Sequence, residues 1–430
     1  MTSRWPNLRF ALAKKWPLFM ATLLAVVLTA CSNTTESNSD GAGSSKGKSK
    51  DIPTAASVDH GQLQATIEKA MLAPVSTSDM DPVVADSLAV ASMPVTDEQK
   101  ALLKKCLSQR ECDTGRGTLT VAINADFTNA PYWSIRRAEG TLQAISYPQV
   151  RKVIYTSAES GDIAQVLANL RSLIAQKVDI IVEDPVFGGA ILPAVKQAKA
   201  AGIAFVTANS PLPKAVGAEV TAQFPYDLCN WGTTAAKQVI DNAGPRPKTY
   251  ALYTGVPGNS IAPLWQPCAE KEFDAAGWKK VFSGYTKWTP QGVAQAANGL
   301  LASGKNPTGI LLDGFYEEFV KPYIDKGETP PIVATDAALY SSIEAYKKWT
   351  GEGKDVKAFA GNGHLWYVRT AVTAGVMNKL GLDVPNNLLA PVPTESFDDI
   401  QKLAEPGIPG NVSFTTLLDP ELAVESLSAG

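Results

Sequence analysis

Residues Val178 to Asn209, VDIIVEDPVFGGAILPAVKQAKAAGIAFVTAN, read as one complete strand, helix, strand repeat. Ile180, Ile181 and Val182 form a short apolar β-branched run that suits a strand buried on both faces, and it stops at Glu183-Asp184-Pro185. Gly188 and Gly189 open a helix in which Ile191, Ala194, Val195 and Ala198 recur at helical spacing. Gly202 fits its C-terminal cap, and Ala204, Phe205 and Val206 supply the next strand. So short a connection between two buried strands calls for a right-handed parallel crossover. Ligands of such sheets sit beyond the carboxyl ends of the strands, where Asp184 and Asn209 both fall.

Working outward, the 430 residues exceed one ordinary domain and allow two well-buried lobes. A net charge of −3 with 19% charged residues shows no bias toward nucleic acid or an anionic membrane surface. His60 and His364 are the two histidines, and no Cys-x-x-Cys motif occurs. A zinc site or a histidine-driven hydrolase therefore has little material, and no metal or cofactor is expected.

Strand and helix patterns continue on both sides of the repeat. Leu119 to Asn124 is a strand that leads through ADFTNAPYW, residues 125–133, into a helix, and Val153 to Tyr155 is the next strand. Ala218 to Phe224 is a further strand, after which Tyr226-Asp227 starts a helix that crosses to a second α/β series. In that series Tyr250 to Tyr253 precedes a Gly-Pro-Asn-Ser turn, residues 255–260, that lacks the Gly-Lys-Ser/Thr ending of a phosphate-binding loop. Val281 to Tyr285 follows, then Trp288 just ahead of Thr289-Pro290, a favourable cap and first turn. Ile310 to Leu312 ends in Asp313 and Ile332 to Thr335 ends in Asp336, so two strands of the second lobe each deliver a carboxylate to a cleft edge. Phe359 to Asn362 is the last strand, and His364 just beyond it reads as a hydrogen bonder at a hinge or helix start.

The strand ending in acid-Pro, the helix carrying LPAVKQAKAAGI and the strand ending in polar residues together resemble the type I periplasmic sugar-binding proteins, and the resemblance extends over roughly Gly117 to Leu382. It implies an α/β fold of two doubly wound parallel-sheet lobes joined by a hinge, with no catalysis. It implies Asn129 and the paired aromatics Tyr132 and Trp133 on one face of a sugar, and Trp288 on the other. Asp184, Asn209, Asp313, Asp336 and Asn362 would hold the polar edge. The chain departs from the ribose type in two places. Asn209-Ser210 stands where Asp-Arg is usual, and the turn after the first strand of the second lobe has no arginine. The usual guanidinium forks being absent, an anionic ligand is disfavoured and a cationic or amine-bearing one is accommodated.

The N-terminus is basic, with Arg4, Arg9, Lys14 and Lys15, and is followed by the apolar run Leu18 to Thr29 and then Leu28-Thr29-Ala30-Cys31. This resembles a bacterial lipoprotein signal whose cleavage leaves Cys31 lipidated; the alternative is an ordinary signal with a chance cysteine. Cys106, Cys112, Cys229 and Cys268 remain in an oxidising compartment. Of three possible connectivities, 106 with 112 and 229 with 268 is favoured. The expected organisation is a signal over 1–31, a flexible tether over 32–95, an N-terminal lobe of 96–225 with 363–385, and a C-terminal lobe of 226–362 with the tail 386–430. The expected role is that of a monomeric, membrane-anchored binder of a sugar or polyol, located in the periplasm or at the cell surface, that serves the permease of an ABC transporter. A sensory binding protein docking on a receptor, and an exported glycosidase using Asp313 and Asp336, are the alternatives.

Overall fold

The computed structural model describes residues 52–128, 130–159 and 162–429; the signal region, Cys31 and Asn129 lie outside them. The first sheet is built from β1 (Glu111–Asp113), β2 (Leu119–Ala125), β3 (Val150–Ser157), β4 (Ile180–Glu183), β5 (Ala204–Asn209) and β6 (Ala222–Pro225) in the order β1-β3-β2-β4-β5-β6. The second contains β7 (Thr249–Thr254), β8 (Lys279–Tyr285), β9 (Gly309–Leu312), β10 (Ile332–Thr335), β11 (Ala358–Gly361) and β12 (Thr394–Ser396) in the order β12-β11-β10-β9-β7-β8. Pairing is parallel except for the edge strands β1 and β12. β4, β5, β9, β10 and β11 are buried along their whole lengths, as the near-continuous apolar runs of strands covered on both faces require.

The Val178 to Asn209 repeat forms as read. A short 3-10 turn at Gly188–Ile191 runs into the helix Leu192–Ala200, Gly202 takes a positive φ, and β4 pairs in parallel with β5 from Ile180↔Ala204 to Glu183↔Thr207. In each sheet the strand order reverses at one place: between β2 and β4 in the first, between β7 and β9 in the second. Loops leaving the carboxyl ends of neighbouring strands diverge at such a point and open a crevice.

Two segments depart from the expected organisation. Residues 60–92, part of the expected 32–95 tether, are folded into α1 (His60–Met71) and α2 (Pro82–Ser92). Leu63, Ile67, Val84 and Leu88 are buried in the main core, and this apolar stripe outweighs the polar composition further upstream. α2 packs on the helix Tyr367–Lys379 of the first lobe, and Gln143 Nε2 donates to Ser87 O at 3.1 Å. α1 reaches the second lobe, where Lys69 Nζ donates to Tyr340 Oη at 2.6 Å.

The tail likewise belongs to both lobes. β12 joins β11, and Phe414 N–H donates to Ala338 O at 2.8 Å. Thr416 Oγ1 and Leu417 N–H then donate to Glu139 Oε1 of the first lobe at 2.8 and 2.7 Å, on a buried carboxylate that also pairs with Arg369. Cys106 is bonded to Cys112, next to α3 (Asp97–Leu107) and β1, and Cys229 to Cys268 between neighbouring helices of the second lobe.

If residues 60–92 are part of the fold, Leu88→Ala should lower the free energy of unfolding by about 2–5 kcal/mol. A denaturant titration of the variant that superposes on the wild type would restore the segment to a tether.

Candidate ligand-binding cleft

Each crevice is floored by carboxylates delivered from its strand ends. Asp126 follows β2, Glu183 ends β4 and Asp184 comes next; Thr254 ends β7 and Asp313 follows β9. A buried carboxylate is tolerated only when neighbours donate to it or when it keeps its proton. Asp184 is fully buried and accepts from Asn209 Nδ2 at 3.1 and 3.3 Å and from Ser210 Oγ at 2.9 Å. Asn209 holds that position with a φ of 74°, a left-handed backbone that an asparagine tolerates better than most residues. Arg136, from α4 (Pro131–Ser146), sets its Nε 3.6 Å from Asp184 Oδ2 and its guanidinium 5.7 Å from the Trp133 ring centroid.

Asp126 and Glu183 use the other solution. Asp126 accepts from Val186 N–H at 3.0 Å and Glu183 from Asn124 Nδ2 at 2.7 Å. Burial pushes Asp126 up to about 6, while burial and the Asp126 charge drive Glu183 well above the usual carboxylate range, so the pair retains a proton between them.

In the second lobe Asp313 Oδ2 accepts from Thr254 Oγ1 at 2.7 Å and from Trp288 Nε1 at 3.0 Å. Lys287 and Trp288 both adopt positive φ, 58° and 52°, a strained turn that brings the indole over Gly255. A Cβ at Gly255 would lie 2.0 Å from that ring, so the residue must be glycine.

Aromatic side chains close the space between the lobes. Phe127 stacks on Trp133 at 5.7 Å and on Phe187 at 6.1 Å, and meets Trp288 of the second lobe edge-on at 6.3 Å. Polar contacts also cross the cleft. Ser260 Oγ donates to Val186 O at 2.7 Å, and Tyr132 Oη lies 2.9 Å from His364 Nδ1, whose Nε2 faces Asp336 Oδ2 at 3.5 Å.

Of the residues singled out from the sequence, Trp133, Asp184, Asn209, Trp288 and Asp313 therefore gather in this cleft, with Tyr132 and Asp336 meeting His364 at its hinge side. Asn362 does not join them. Its amide donates to Met71 Sδ at 3.3 Å and to Pro391 O at 3.4 Å, because α1 covers the back of the hinge and His364, two residues on, faces the cleft side. Sequence reasoning missed Arg136, Asp126, Glu183, Phe127 and Phe187. The polar residue closing an otherwise apolar strand was a usable signal for Glu183, and the quoted loop contained Phe127.

Asp313 supplies a pH test. Burial and the neighbouring Asp336 charge push it up to about 7, so the folded protein holds a proton that the unfolded chain releases. Its contribution to stability is complete below the unfolded value of about 4 and is lost as pH rises toward 7. Asp313→Asn cannot ionise, so in urea titrations its unfolding free energy should gain on the wild type over this interval; parallel curves would contradict the assignment.

Several solved structures share the fold. An ABC transporter solute-binding protein from Bacillus halodurans C-125 with bound myo-inositol is 18% identical with a TM-score of 0.56, over 67% of this chain and 99% of that one. One from Mycobacterium smegmatis with bound glycerol is 16% identical with a TM-score of 0.59, over 67% and 98%. One from Actinobacillus succinogenes 130z with bound D-allose is 18% identical with a TM-score of 0.57, over 66% and the whole of that chain. No curated protein sequence matches. Residues 121–358, more than half of the chain, match the model of the periplasmic binding protein domain, and the protein belongs to that family.

Proposed function

We propose that the protein is an extracytoplasmic solute-binding lipoprotein that captures a small sugar or polyol between its lobes and delivers it to the permease of an ABC transporter. One observation carries the reading. Aromatic rings from both lobes, Phe127 and Trp133 against Trp288, meet above carboxylates held in place by hydrogen bonds, Asp184 and Asp313. Aromatic rings cover the apolar faces of a sugar, and oriented carboxylates accept its hydroxyl protons. The structural relatives crystallised with myo-inositol, glycerol and D-allose support the same class of ligand. Asn129, outside the described residues, is proposed for this site from its place in the sequence just ahead of Pro131.

The lobes provide the mechanism without any reaction. A solute that contacts both of them favours the closed arrangement by its extra affinity for that state. The closed surface is then what a permease recognises, while the lipid on Cys31 keeps the protein at the membrane.

Calorimetry with a panel of sugars and polyols tests the capture. Trp288→Ala should weaken the solute that binds by about 2 kcal/mol or more, some thirtyfold, with the fold intact. An unchanged affinity would remove the cleft from consideration. Cys31→Ala should abolish incorporation of labelled fatty acid, and lipid retained in that variant would contradict the anchor.

A further inference from the structure

Arg136 is the buried group that the cleft description leaves unexplained. Its side chain is 1% exposed, yet Nε and Nη2 have no hydrogen-bond partner among the described residues. A guanidinium presents five donors in a rigid fork, and leaving two of its nitrogens unpaired in the interior is costly. The Tyr132 hydroxyl interacts with the guanidinium, but it lies 2.9 Å from His364 Nδ1 and relieves little of that cost. Asp184 is beyond hydrogen-bond distance at 3.6 Å and already accepts from Asn209 and Ser210. No hydrogen bond from the guanidinium reaches Asp126 Oδ1 or Glu183 Oε1, the carboxyl pair that shares a proton. A cation placed only to neutralise these carboxylates would be hydrogen-bonded to them. Arg136 is instead held by packing, over the Trp133 ring and beside Asp184, at the wall of the cleft.

We propose that Arg136 is the specificity-determining donor of the cleft, its free N–H groups receiving oxygen acceptors of the bound solute, which is therefore a neutral or acidic polyol and not an amine. This rests on the solute-binding reading above and sharpens it. The guanidinium absent after β5, where Asn209-Ser210 stands, is supplied by α4, and with Asp184 it forms a donor and acceptor pair suited to adjacent hydroxyls. An ammonium group brought to the same wall would meet a cation and leave the free N–H groups unsatisfied.

The test uses the purified protein, isothermal calorimetry and four probes: myo-inositol, D-allose, D-gluconate and D-glucosamine. The wild type should bind a neutral or acidic probe in preference to glucosamine. Arg136→Lys keeps the positive charge among the carboxylates but loses the planar fork, so its melting temperature should stay near that of the wild type while affinity for the bound probe falls about tenfold or more. A counter-ion with a purely structural role would leave both quantities unchanged. Arg136→Gln, which keeps an N–H donor without the charge, is the second variant.

An affinity of Arg136→Lys within about threefold of wild type, or a preference for glucosamine, overturns the proposal and leaves the solute-binding reading standing. Failure of both variants to fold assigns the guanidinium to the fold and overturns it too. Binding of no probe overturns the solute-binding reading itself.

Discussion

Carboxylates buried at the carboxyl ends of parallel strands are the constraint on which this site depends. A carboxyl group buried in a protein interior needs hydrogen-bond donors, and Asp184 obtains them from the next strand end, Asn209 and Ser210. Asp313, which keeps its proton up to about pH 7, likewise accepts from Thr254 and from the indole of Trp288. These hydrogen bonds fix more than charge. The bond from Trp288 holds an aromatic ring at the mouth of the second crevice, and the strained backbone at Lys287 and Trp288 is the cost of putting it there. Electrostatics thus determines where the aromatic surface lies, and the aromatic surface determines what shape of solute the lobes can enclose.

The doubly wound topology explains why two such crevices face each other. Each sheet reverses its strand order next to its first long parallel strand, β2 in one lobe and β7 in the other. The chain passes between lobes near Tyr226 and near Asn362, so the crevices share a hinge, and Tyr132, His364 and Asp336 form a polar contact beside it. α1, α2 and the tail lie behind this junction and bind both lobes, through Lys69 with Tyr340, Gln143 with Ser87, and Glu139 with Thr416. The 60–92 segment and the tail together form a brace across both lobes.

Much of this was legible in the sequence because it is local. A β-branched run followed by an acid marks a buried strand and its carboxyl end, which located Asp184, Asp313 and Asp336, and Thr289-Pro290 after Trp288 marked a helix start. Arg136 was not legible: it sits next to Arg137 in sequence with nothing local to distinguish the two, and only its place over the Trp133 ring and beside Asp184 buries the first. Asn362 was misplaced for a related reason. Its position in the chain is at the cleft edge, but which way a side chain points after a strand depends on what covers each side. The covering element, α1, lies in the segment expected to be a flexible tether. The folded 60–92 segment shows the same limit, since its apolar stripe acquires meaning only from the helix Tyr367–Lys379 against which it packs.

The most direct measurement is a crystal structure of the protein grown with the polyol that binds most tightly in calorimetry. The account predicts one molecule enclosed between Trp133 and Trp288, with hydroxyl groups within hydrogen-bond distance of Asp184 and Asp313. Ligand density outside the space between the two lobes, or a ligand that touches only one of them, would contradict it.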